Sequence, residues 1–258
     1  MTPPKTIVIT GASSGIGAAL AKTYAAPGVT LGLLGRNKER LAEVASYCTG
    51  QGAVAETTAI DVRDAAEMQR WLEQWDKNHP IDLLIANAGI AATLSGQGES
   101  DMQIRDIFAI NVNGVINSIL PTIALMKPRK RGQIAIMSSL AGIRGLPSCP
   151  AYSASKNAVR AFGEGLRGEL HKEGISVSVI CPGFIKTPLT DVNPFPMPFI
   201  MSADRAAQII IRGLGAKRAR IAFPLALYIP LRILSCLPLA ITDPFFAALP
   251  SKTATKPL

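Results

Sequence analysis

Short apolar, β-branched runs alternate with amphipathic stretches along most of the chain, and this alternation limits the fold more than any other feature. The runs KTIVIT, VTLGLLG, AVAETTAI, IDLLIANAG, GQIAIMSS, ISVSVICPG and ARIAFP read as seven strands. Between them, GIGAALAKTYAA, NKERLAEVASYC, DAAEMQRWLEQWDK, the region from Met102 to Lys127, AYSASKNAVRAFGEGLRGELHKEG and SADRAAQIIIRGLG carry helical spacing, the last with Ser202 as N-cap. Strands with no polar face must be covered on both sides, and strand–helix–strand crossovers are right-handed. The expected fold is therefore α/β, a doubly wound, seven-stranded parallel sheet with helices on both faces. No Gly/Ser linker or charge run divides residues 1–223, which read as one domain, and residues 224–258 form an apolar extension broken by prolines. In such sheets ligands bind beyond the carboxyl ends of the strands.

Composition narrows the partners. Of 258 residues, 48% are hydrophobic and 17% charged, which excludes a disordered chain. A net charge of +9 favours anionic partners: phosphates, nucleic acid or an anionic membrane surface. The basic residues are scattered and aromatics make up 5%, which argues against nucleic acid. Cys48, Cys149, Cys181 and Cys236 form no C-x-x-C pair, and His79 and His171 lie far apart, so no metal site is expected. Thiols this sparse read as buried groups in a reducing compartment. MTPPKTIVIT lacks a charged segment followed by a long apolar run, so a cytoplasmic location is expected.

TGASSGIG, Thr10 to Gly17, leaves the first strand and opens the first helix. Gly11, Gly15 and Gly17 let backbone amides approach a pyrophosphate, and the helix N-terminus adds unpaired N–H groups. The spacing is G-x-x-x-G-x-G rather than the commoner G-x-G-x-x-G, and a simple tight turn is the competing reading. NAD-binding chains usually carry an acid at the end of the second strand. Here that end reads Leu34, Gly35, Arg36, Asn37. Arg36 either pairs with a 2′-phosphate, favouring NADP(H) over NAD(H), or is a solvated arginine at a helix start. Asp61 either accepts from an adenine amino group or caps the next helix.

SSLAGIRGLPSCPAYSASK places Tyr152 and Lys156 at i, i+4 on one helix face, thirteen residues after Ser139. A phenol is a poor acid–base group near neutrality, and an adjacent ammonium is expected to lower its pKa. The tuned phenol then exchanges a proton with a carbonyl or alcohol oxygen that Ser139 holds. Ser138 competes for that role, but strand alternation lets only one of the two face the site.

Together these elements resemble the short-chain dehydrogenase/reductase family, in its branch built as one Rossmann-type domain. TGASSGIG, NAG at Asn87 to Gly89, Asn111, Ser139, YSASK and PGFIKT from Pro182 to Thr187 carry the resemblance, over about residues 5–223. It implies a catalytic tetrad of Asn111, Ser139, Tyr152 and Lys156. It implies cofactor contacts from Gly11, Ser13, Ser14, Gly15, Ile16, Gly17, Arg36, Asp61, Val62, Asn87, Ala88, Gly89, Tyr152, Lys156, Pro182, Gly183, Ile185 and Thr187. It also implies a homodimer or homotetramer paired through the long fourth and fifth helices. Gly163, Gly165 and Gly168 fit close approach of another helix, since each costs about 1 kcal/mol relative to alanine. The function expected is an oxidoreductase interconverting a small-molecule carbonyl and a secondary alcohol. The alternative is a non-catalytic nucleotide-sensing or scaffold protein on the same fold.

The extension departs from the simple pattern. Its apolar runs, broken by Pro230, Arg232, Pro238, Asp243 and Pro244, are too short to span a bilayer. Two short helices are expected, the second starting near Asp243 as N-cap with Pro244 at its first position. The segment serves as a lid, a dimer contact or a membrane-interface contact, the last helped by Lys217, Arg218, Arg220 and Arg232. NPFPMPFIM, with Phe195, Met197, Phe199 and Met201, either contacts an apolar substrate or buries its own loop.

Overall fold

A computed structural model describes residues 3–91, 99–191 and 196–247. The chain runs β1 (Thr6–Thr10), α1 (Gly15–Tyr24), β2 (Thr30–Gly35), α2 (Lys38–Gly50), β3 (Val54–Ala59), α3 (Ala65–Asn78) and β4 (Leu83–Ala86). It continues through α4 (Asp101–Phe108), α5 (Gly114–Met126), β5 (Gly132–Met137), α6 (Pro150–Leu170) and β6 (Ile175–Pro182). Next come two short strands, β7 (Ile185–Lys186) and β8 (Met201–Ser202), then α7 (Ala203–Gly215) and β9 (Arg220–Phe223). The extension contributes α8 (Leu225–Leu234) and α9 (Leu239–Ala247).

Seven parallel strands form one sheet in the order β3-β2-β1-β4-β5-β6-β9, as the alternation predicts. The order reverses between β1 and β4, which opens a crevice at their carboxyl ends. Alternate residues of each inner strand feed opposite cores. Ile7, Ile9, Leu83 and Ile85 pack beneath α1, α2 and α7 with Leu20, Leu41 and Ile210. Val8, Leu84, Ile134 and Ile136 pack beneath α3, α5 and α6 with Leu72, Ile119 and Val159. The β7–β8 pair is an addition the sequence pattern did not signal; it sets the path between β6 and α7.

The helical stretch Asp101–Arg129 is long and apolar enough to cross a membrane, but half of its apolar window is buried, and α5 packs on α3, β4 and β5. It is a core helix. It is also not uniform: residues 109–113 form a π-helical turn between α4 and α5.

Gly163, Gly165 and Gly168 divide into two kinds. A Cβ at Gly163 would lie 2.7 Å from Val179 Cγ2 and 2.8 Å from Ile136 Cδ1, so this glycine lets α6 settle on its own sheet. Gly165 and Gly168 have nothing near them among the described residues, so close helix approach within the chain does not explain them. Cys48, Cys149 and Cys181 are buried thiols as expected, whereas Cys236 is exposed. Gly163→Ala is expected to lower the unfolding free energy by about 1–3 kcal/mol through overpacking, measured by urea denaturation with the m-value unchanged.

Candidate active site

The carboxyl ends of β1, β4, β5 and β6 open into one cleft of ≈ 1210 Å³. That exceeds the roughly 300–1,000 Å³ of an ordinary ligand pocket. The cleft holds three environments: a glycine-rich end, a polar middle and an apolar chamber.

At the first end, Gly11 and Gly15 adopt φ of 66° and 55°, which residues with a Cβ seldom tolerate. A Cβ at Gly17 would run into the Gly11 carbonyl. Ser14 sits at the N-cap of α1 with no side-chain cap bond, and the first turn carries no acid. The N–H groups of this turn thus suit an anion. Asn87 and Thr10 fix the loop from below. Asn87 Nδ2 donates to the Thr10 and Gly11 carbonyls at 3.0 and 3.2 Å, while Thr10 Oγ1 accepts from the Asn87 and Ala88 amides at 3.0 and 3.1 Å. Ser13, Ile16, Asp61, Val62, Ala88, Gly89, Pro182, Gly183, Ile185 and Thr187 all line the same cleft. These features fit a pyrophosphate-linked dinucleotide.

At the end of β2, Arg36, Asn37 and Arg40 line the cleft. Asn37 caps α2, accepting from the Arg40 amide at 2.7 Å. Asp61 does not cap α3; that position belongs to Asp64. Asp61 is instead gripped by Arg63, whose Nε lies 3.1 and 3.0 Å from its two oxygens and whose Nη2 lies 2.7 Å away. This grip holds the carboxyl below its ordinary pKa, and the Arg36 charge adds to the effect.

The polar middle brings Ser139, Tyr152 and Lys156 together, with Asn111 behind them. Ser138 and Ser139 point in different directions, as alternation requires. Ser138 Oγ donates to the Lys156 carbonyl at 2.7 Å and locks α6 to β5. Ser139 interacts with the Tyr152 phenol. Asn111 lies in the π-helical turn and is fully buried. Its Oδ1 accepts from the Ile90 amide at 2.8 Å, and its Nδ2 donates to the Ile90 carbonyl at 2.9 Å and to Ser155 Oγ at 3.1 Å. π-turns of this kind recur at functional sites.

The lysine does not tune the phenol in the way the i, i+4 spacing suggests. Lys156 is 4% exposed, and its Nζ donates to the Met137 carbonyl at 3.1 Å. It lies 5.8 Å from the centre of the Tyr152 ring. Burial dominates both groups: it pushes the phenol up to about 12, against the Ser139 hydrogen bond, and the amine down to about 8. Desolvation is the largest cause of both shifts.

Glu99 is a participant that local sequence reasoning missed. Its carboxylate accepts from the Ala151 amide at 2.6 Å and the Tyr152 amide at 3.1 Å, satisfying the N-terminus of α6. It lies in a polar stretch with no periodicity, fifty-odd residues upstream of the helix it caps. Nothing in the local sequence links it to α6.

The third environment is apolar. Leu146, Pro147, Leu189, Pro196 and Pro198 line it from the loops, with Leu227, Leu231, Leu234 and Phe246 from the extension. Phe199 and Ile200 are instead exposed, and Met201 is drawn into β8, so the loop offers its prolines to the cleft rather than Phe199 and Met201. Phe195 lies outside the described residues. The extension does form two helices, but α9 starts at Leu239, with Asp243 and Pro244 inside it. Asp243 is drawn away from a capping role by Arg144, which donates to it at 2.7 Å and to Thr242 Oγ1 at 3.1 Å, and stacks on Phe246 at 4.9 Å.

Two outcomes are expected. Glu99→Ala removes two charge-assisted bonds from α6 and lowers stability by about 1–2 kcal/mol in urea denaturation. Lys156 binds its proton less tightly folded, near 8, than unfolded, near 10.5. Between those values the unfolded chain carries more protons, so stability rises with pH. Denaturation from pH 8 to 10 is expected to show wild type gaining on Lys156→Met.

Similarity to known proteins follows the same outline. The family described as short chain dehydrogenase matches residues 5–194. An uncharacterized oxidoreductase of Myxococcus xanthus is 36% identical over 240 residues, 93% of this chain and 95% of that protein. The ketoacyl reductase HetN of a Nostoc species is 32% identical over 182 residues, 70% of this chain and 63% of that protein. A solved structure of a 3-oxoacyl-(acyl-carrier protein) reductase with bound NAD from Brucella melitensis has a TM-score of 0.73 at 25% identity, covering 84% of this chain and 87% of that one. A match across most of the residues, and a relative alike from end to end, place this chain in the short-chain dehydrogenase family of nicotinamide-dependent oxidoreductases.

Proposed function

We propose that the chain interconverts an apolar ketone and the matching secondary alcohol, with NADP(H) preferred over NAD(H). The observation that carries this reading is the meeting of Ser139, Tyr152 and Lys156 between the glycine-rich end and the apolar chamber of a single cleft. When bound, the nicotinamide supplies or accepts the hydride at the substrate carbon and, when oxidised, adds a positive charge to the site.

Tyr152 holds a proton on its phenolic oxygen and delivers it to the carbonyl oxygen in reduction; in oxidation it withdraws a proton from the alcohol. Ser139 holds that same oxygen, donating to it. Lys156 passes its proton on to the tyrosinate left behind in reduction and is recharged from solvent, because a buried amine titrating near 8 can lose and gain a proton close to neutrality; in oxidation the proton runs the other way. Asn111 fixes the Ile90 segment and Ser155 around the lysine. A carbonyl oxygen that gains charge is thus met by groups already in place, which is the economical form of electrostatic catalysis.

The cofactor preference rests on Arg36 and Arg40 at the end of β2, where no acid stands to hold a ribose 2′-hydroxyl. The substrate class rests on the chamber, whose walls are leucine, proline and phenylalanine. Pairing of copies through the α4–α5 stretch and α6 is supported by the exposed Phe108 and Leu120 on the first and by Gly165 and Gly168 on the second, which nothing among the described residues approaches.

Tyr152→Phe is expected to lower kcat roughly 10²–10⁴-fold while NADPH binding persists. A nucleotide-sensing protein would bind the cofactor and turn over no carbonyl or alcohol in either form. Arg36→Asp is expected to weaken NADPH at least about tenfold and leave NADH unchanged. Across a series of linear ketones, kcat/KM is expected to rise roughly fourfold per added CH₂ until the chamber is full. A flat series would remove the apolar substrate class.

A further inference from the structure

The C-terminal hairpin is apolar on two sides. Leu227, Leu231 and Leu234 of α8 face the cleft, and Leu227 and Leu231 also pack on the end of the sheet with Val179 and Cys181. The opposite stripe of α8, at i, i+4, i+7 and i+8, is Leu225, Ile229, Arg232 and Ile233. Ile229 is 52% exposed and Ile233 60%. Leu237 and Leu239 continue this surface, and Ile241 of α9 is 63% exposed. Large aliphatic side chains this exposed, three of them on one stripe of α8 and others in the residues that follow, are unusual on a chain that meets only water.

Charge chooses the occupant. From residue 217 onward the chain carries Lys217, Arg218, Arg220, Arg232, Lys252 and Lys256 against a single acid, Asp243. Asp243 is already paired with Arg144, and Arg220 with Glu164. Arg232 stands within the exposed stripe, and among the described residues its guanidinium bonds to Ser235 of its own turn. A second copy packed on this face about a two-fold axis would set Arg232 against Arg232, with no acid between Leu225 and Ile241 to separate them. An anionic lipid surface supplies the missing charge, and arginine extends its head to phosphate while its stem stays among apolar side chains. α8 has 10 residues, about 15 Å, so it cannot cross a bilayer and must lie along it.

We propose that the outer face of the α8–α9 hairpin docks on an anionic membrane surface, in the plane of the interface, while its inner face walls the cleft. Arg144 holds α9 to the domain and so couples the docked hairpin to the chamber.

Vesicle co-sedimentation of the full chain tests this without turnover, so failure here leaves the oxidoreductase reading standing. The protein is expected to sediment with vesicles of equimolar phosphatidylcholine and phosphatidylglycerol, and far less with phosphatidylcholine alone or at high salt. The combined substitution Ile229→Ser, Ile233→Ser and Ile241→Ser, none of which lines the cleft, is expected to weaken binding at least about tenfold. Arg232→Glu alone, a milder change that keeps the apolar stripe, is expected to reduce binding to the anionic vesicles only. Wild-type protein remaining in the supernatant overturns the proposal. So does undiminished binding by both variants, or light scattering in which the triple substitution splits an oligomer while vesicle binding persists.

Discussion

The functional end of the molecule depends on the burial of one amine. Lys156 lies beneath the cleft floor, and the surrounding structure is arranged to keep it there. Ser138 ties its carbonyl to the end of β5, and the Met137 carbonyl receives its ammonium group. Gly142 passes so close to its backbone that a Cβ there would stand 2.7 Å from the Lys156 carbonyl carbon. A fully solvated lysine would be a cation of ordinary basicity, unsuited to the proton transfer proposed for this site near neutrality. Desolvation brings its titration to about 8, and the same apolar surroundings raise the phenol beside it. Burial thus governs the proton affinities of both groups, in opposite directions.

The fold and the motif set were legible in the sequence because both are local. A β-branched run of five or six residues, a helical period and a glycine-rich turn are each written in one stretch of chain, and alternation of such stretches leaves few topologies. The proximity of Tyr152 and Lys156 was legible through spacing on a single helix, and that of Ser139 and Asn111 to them through the strand end and the resemblance. Long-range partnerships were not. Glu99 caps a helix from which some fifty residues separate it, and Arg63 takes the carboxylate of Asp61 that local reading left to an adenine or a helix cap. Asp243 precedes a proline, which looks like a helix start, yet Arg144 offers it a stronger partner and the helix begins four residues earlier. Burial was the other blind spot: the spacing of Tyr152 and Lys156 gives their proximity but not the desolvation that decides their proton affinities.

The extension changes what the domain can recognise. Without it, the leucine-rich wall of the chamber would be missing and the carboxyl ends of β6 and β9 would stand open. Its helices pack on the domain through Leu227, Tyr228 and Leu231 and through the Arg144 cluster. A segment read from sequence as a lid, a dimer contact or a membrane-interface contact thus supplies part of the cleft wall.

The stitching of Asn87 to Thr10 and Gly11 reaches beyond geometry. The amide that looks available to a ligand is already spent inside the protein, and Thr10 receives two backbone donors from the neighbouring strand end. The phosphate cradle is therefore rigid before anything arrives. The glycine-rich turn is thus already shaped as a mould, and the proposed dinucleotide would demand little further ordering from it.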